Sequence, residues 1–249
     1  MRGGALQTIW SCDPVDPRGP KSGALMDPII ALFKLGQKAH MAELLHEGHV
    51  FMNTVSYFAK PEEASPRSDP DEGTSYCENA EGATFQMQQG DEWHTLGTLS
   101  GAIRFRDDAL AAANLYCLHA KTRGDCGTVF ELNQLGFGDS YVLFLNANEF
   151  LRRLTEAAAA AGQNLVYGMV DYVDRRSYTG PMGVFRKFSE RAADREFRVA
   201  ILPGTGRPLC LRLGDLSDIA IMGMTSERLR LDNPAYQAAR AESPPQPEI

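Results

Sequence analysis

The chain has 249 residues, 43% hydrophobic and 23% charged, enough for one large domain or two small ones with a real core. A formal net charge of −7 and a pI of about 5.3 argue against a sequence-independent grip on nucleic-acid phosphates, although a local basic groove could still accept a nucleic acid. No apolar run approaches the roughly 18 residues of a spanning helix, so no membrane partner is expected. Five scattered cysteines, odd in number and without a C-x-x-C pair, speak against a disulfide framework or a zinc site and place the chain in a reducing cytoplasm. Cys117 and Cys210 fall in apolar strand-like runs and read as buried thiols.

Residues 1–27 are rich in Gly and Pro, lack an apolar h-region and read as a flexible leader. Ile29–Lys34 predicts a strand stopped at Gly36. A helix is expected over 37–47, with Met41, Leu44 and Leu45 on one face and Gly48 as its stop. Val50–Phe58 predicts a second strand. Residues 59–75 read as a polar, solvated loop. Strands follow at Ala83–Gln88, Thr98–Arg106, Asn114–Ala120 and Tyr141–Leu145. Asn146 with Glu149 three positions later predicts a capped helix, ended by Gly162. Leu165–Asp174, Glu196–Leu202 and Leu209–Leu213 supply the last strands, and the Pro-rich segment 233–249 reads as a disordered tail. Many short strands with few helices, not in alternation, predict an α+β fold of mixed or antiparallel sheets in one domain over 28–232.

The segment from Ala193 to Leu202 is the most informative for chemistry. Phe197, Val199 and Ile201 alternate onto one strand face, and Glu196, Arg198 and Ala200 onto the other. A carboxylate at a strand mouth, held between Arg195, Arg198 and Lys187, stays ionised. It can then stabilise a cationic transition state such as the oxocarbenium ion of glycosidic cleavage. The simpler reading is a salt-bridged surface strand. In the loop 67–73, Arg67 could touch a phosphate, and Asp69, Asp71 and Glu72 could hold Mg²⁺, although their spacing matches a calcium loop only in part. His40 reads as an exposed helix residue that, one turn after Lys34, could lie near the same cleft, and His119 as a satisfied core or rim histidine.

The strand–helix–strand of 29–58, followed much later by an acid on a strand, resembles the ADP-ribosyltransferase superfamily. The stretches Leu32–Phe58 and Phe185–Asp218 are also similar to bacterial proteins of toxin and phage-defence settings. The resemblance implies NAD as substrate. Lys34 stands where that family has Arg or His, a departure that replaces a fork with a point charge. Thr54-Val55-Ser56 resembles the family's Ser-Thr-Ser stretch, Tyr57 suits its Tyr, and Asp194-Arg195-Glu196 resembles its Glu/Gln-x-Glu motif, where strand alternation would turn Asp194 and Glu196, two residues apart, into one cleft. Glu196, Asp194 and Tyr57 would then act on the reaction, while Lys34, Ser56, Arg67 and Arg198 would bind NAD, with no metal required. Glu196 would bond the nicotinamide ribose, and Asp194 would orient or deprotonate a macromolecular acceptor, protein or nucleic acid. An antitoxin or defence partner would fit the same setting. Two other expectations stand beside it: a non-catalytic sensor or interaction domain, and a metal-dependent nuclease using Asp69, Asp71 and Glu72.

Overall fold

A computed structural model describes residues 28–60 and 68–232. The leader, the tail and Arg67 lie outside the described residues. The architecture is mixed, mostly antiparallel sheet with few helices. Its frame is an eight-stranded antiparallel sheet. In chain order the strands are β1 (Ile29–Gly36), β2 (His49–Thr54), β3 (Asn114–Thr122), β4 (Ser140–Phe144), β5 (Leu165–Met169), β6 (Glu196–Ile201), β7 (Leu209–Arg212) and β8 (Ala220–Met224). Across the sheet they run β5, β6, β3, β1, β4, β8, and β2 joins β3 at one end while carrying β7.

One face of this sheet is closed by two helices, α1 (Lys38–Glu47) and α3 (Ala147–Ala160). Met41, Leu44, Phe150 and Leu154 from the helices meet Leu32, Leu118, Phe197, Val199 and Ile201 in one continuous apolar core. Each such side chain, fully buried, stabilises the fold by roughly 1.5–3 kcal/mol. The helix ends follow their local chemistry. Asn146 Oδ1 accepts from the Glu149 N–H at 3.1 Å. Gly48 ends α1 at φ 59°, and a Cβ there would lie 2.3 Å from the Gly214 carbonyl oxygen, so only glycine fits.

Several predicted elements come out differently. The strand expected over Thr98–Arg106 divides into two, Glu92–Thr98 and Ala102–Arg106. The strand expected through Phe58 ends at Thr54, whose Oγ1 accepts from the Tyr57 N–H at 3.3 Å and starts a single helical turn, α2 (Val55–Phe58). Asp194 closes a 3₁₀ segment, Ser189–Asp194, and Arg195 turns through φ 44° before β6 begins. That left-handed residue is strained for a side chain. Its guanidinium compensates by gripping buried Asp125 at 2.9 and 2.7 Å. The run Leu165–Asp174 breaks at Val170 into β5 and a short strand, Asp171–Val173. Cys210, expected buried, is exposed.

Candidate active site

β3 is the spine of the site because its two edges differ. Along one edge, β6 pairs with residues 114–119. Along the other, β1 pairs only from His119 onward and β2 only with Asn114 and Leu115. The backbone of 116–118 is left without a strand partner on that side, and the sheet forks there. Lys34 reaches into the fork from β1 and donates to the Cys117 carbonyl at 2.9 Å, its ammonium 4.2 Å from the centre of the Tyr116 ring. A cavity of about 500 Å³ opens at the fork. Its volume lies in the range of small-molecule and cofactor sites.

The antiparallel register puts Glu196 beside His119 and Arg198 beside Cys117, all on the face away from the helices. Arg198 is 1% exposed. Its Nε donates to Glu196 Oε1 at 2.8 Å, while its two terminal nitrogens hold Glu72 at 2.8 and 2.5 Å, and Nη1 also donates to the Val184 carbonyl at 2.6 Å. Lys187 Nζ lies 3.0 Å from Glu196 Oε2, 3.5 Å from Asp69 and 3.7 Å from Glu72. Three buried carboxylates thus converge on two cations. Burial alone would raise the Glu196 pKa, but the Arg198 guanidinium and the Lys187 ammonium outweigh it and hold the carboxyl well below the usual range. Beside it, burial pushes the Cys117 thiol up to about 12.

Lys34, Tyr57, Asp194, Glu196 and Arg198 all line this one cavity. Ser56 does not. It is exposed, with its hydroxyl 2.9 Å from Thr54 Oγ1, because α2 turns it away from the fork. Asp194 reaches the cavity from the turn before β6 and not through strand alternation. It is half-buried, and burial raises its carboxyl pKa against the opposing pull of Lys187. Arg195 faces Asp125 and leaves Glu196 to Arg198 and Lys187. The surface-strand reading is corrected as well, since every residue of β6 is buried.

The expected solvated loop is the largest revision. Asp69 and Glu72 are buried, and Asp71 pairs with Arg104 at 2.9 Å and with Arg175 at 2.6 Å. Each of the three carboxylates faces a cation of the protein, and among the described residues no cluster of His, Cys, Asp or Glu is arranged to hold a metal ion. The metal-nuclease reading loses its ligands. Two site members escaped sequence reasoning in these roles. Glu72 looked like part of a loop because its partner lies 126 residues on. His119 sits in a strand apolar on both sides, where only the alternation Leu115, Cys117, His119 marks the cavity face.

Comparison with protein-family models, with curated proteins and with solved structures returns no match for this chain. Among the described residues no helix is long and apolar enough to cross a membrane.

Proposed function

We propose that the fork cavity binds NAD and that the protein is an ADP-ribosyltransferase-like enzyme, transferring ADP-ribose to a macromolecular acceptor in a toxin or anti-phage setting. One observation carries the reading: Lys34, Tyr57, Asp194 and Glu196, from four separate segments, line a single cavity with a fixed, ionised carboxylate. In this reaction the bond between nicotinamide and ribose breaks, its electron pair leaves with nicotinamide, and the ribose carries positive charge until the acceptor attacks. Glu196 suits that moment. Arg198 and Lys187 fix both its oxygens, yet a carboxylate has about four acceptor sites, which leaves room for a ribose hydroxyl. A preorganised charge of this kind stabilises the transition state without reorganising. The raised pKa of Asp194 suits a base that takes the acceptor's proton.

A second reading, a non-catalytic sensor domain, is favoured by one contact. The Lys34 ammonium spends a hydrogen bond on the Cys117 carbonyl within the fork. Incubation with NAD carrying label in the nicotinamide separates the two. The enzyme releases nicotinamide, and Glu196→Gln lowers the rate on the order of 100-fold or more while NAD still binds. Binding without release, unchanged by Glu196→Gln, leaves the sensor.

A further inference from the structure

His119 is 5% exposed and lines the fork cavity. Its Nδ1 lies 2.8 Å from the Asp194 carbonyl oxygen, which can only accept, so Nδ1 carries the ring hydrogen. This fixes the neutral tautomer, with the other nitrogen, Nε2, as a lone-pair acceptor. Among the described residues no group bonds to Nε2, although it is buried. A buried polar atom without a partner is costly and rare in a folded protein. It recovers that cost when a ligand supplies the hydrogen.

We propose that His119 is a binding residue of the fork cavity whose Nε2 accepts a hydrogen bond from a ribose hydroxyl or the carboxamide N–H of NAD. The Asp194 main chain acts as the positioning group that turns it there. The inference rests on the NAD reading, and the chemistry is specific in two respects. An acceptor on a neutral ring selects a donor on the ligand, and a ligand without one leaves Nε2 unpaired and binds more weakly. The same backbone segment presents the Asp194 carboxyl to the cavity and its carbonyl to His119, so the acceptor-side acid and the NAD-side acceptor are set by one turn, 189–195.

His119→Asn separates the two nitrogens. The Asn amide N–H can keep the bond to the Asp194 carbonyl, whereas nothing replaces Nε2. His119→Gln places an amide near the Nε2 position and serves as the rescue. NAD binding is measured by calorimetry for wild type and both variants, after thermal melts establish which of them fold. The expected result is a loss of affinity of roughly tenfold in the Asn variant, with partial recovery in Gln. On the wild-type protein, ¹⁵N spectra of the histidine rings provide a readout independent of folding: the His119 Nε2 resonance shifts when NAD is added. If NAD binds with no such shift and folded Asn variant binds equally, His119 is a hydrated rim residue and the inference fails while the NAD reading stands. If wild type binds no NAD, that reading fails and takes this inference with it.

Discussion

Two ion-pair networks in this protein use the same side chains under opposite conditions. On the outer face of α3, Glu149 pairs with Arg152 and Arg153, and Arg153 extends to Asp218, all within reach of water. At the fork, Arg198, Lys187, Glu72 and Glu196 are almost wholly enclosed. On the surface each partner has water as an alternative, so the pair adds little. At the fork that alternative is scarce, because these side chains are only 1–11% exposed. Each charge depends on the others, and the cluster fixes geometry more than it adds stability. The count of ion pairs says nothing about which network matters.

The contrast predicts a series of effects. Arg198→Met leaves Glu72 and Glu196 facing each other with only Lys187 between them, and is expected to cost about 3–5 kcal/mol in chemical denaturation. An effect under 1 kcal/mol would mean that water enters the fork and that the two networks are alike.

Acid separates the regions next. Burial lowers the His119 pKa from its ordinary 6.5 to about 4. Below pH 6.5 the unfolded chain takes up a proton that the folded protein refuses, so this contribution is complete above 6.5 and lost on the way down to 4. The loss amounts to about 3 kcal/mol. Glu196 has the same sign, because its folded pKa is depressed: its contribution is present above the ordinary carboxylate range and disappears at still lower pH. Denaturation midpoints recorded from pH 7 to pH 4 should fall for wild type and fall less for His119→Asn. The smallest effect belongs to the helix surface. Glu149→Ala, though it removes the partner of two arginines, should move the melting midpoint by no more than about 2 °C, and less in high salt.

What was legible in the sequence divides along the same line between local and distant causes. β1, α1 and the Asn146 cap rest on signals a few residues wide, and each appears close to where those signals put it. The alternation along β6 also holds, with Phe197, Val199 and Ile201 in the core and Glu196 and Arg198 on the charged face. Residues 55–58 were misread because Val, Tyr and Phe favour strands, and the Thr54 cap that overrides them is a single hydroxyl. Asp194 left the strand because Arg195, not a glycine, takes a left-handed turn. That choice depends on Asp125, 70 residues earlier. The burial of Asp69 and Glu72 is invisible locally for the same reason: a cluster of acids reads as solvated until the distant Arg198 and Lys187 are placed against it.

The forked strand also fixes an order of assembly. β3 takes its partners from residues 29–33, 53–54 and 196–201, so its two edges are completed by pieces of chain made far apart in time. A ribosome adds about 5–20 residues each second. For several seconds after β3 emerges, its β6 edge and the carboxylate of Glu72 have no counterpart, and pairings between such distant segments form slowly in any case. The element that shapes the cavity is therefore an open strand edge during synthesis, and the same residues that define the mature site define the nascent chain's point of risk.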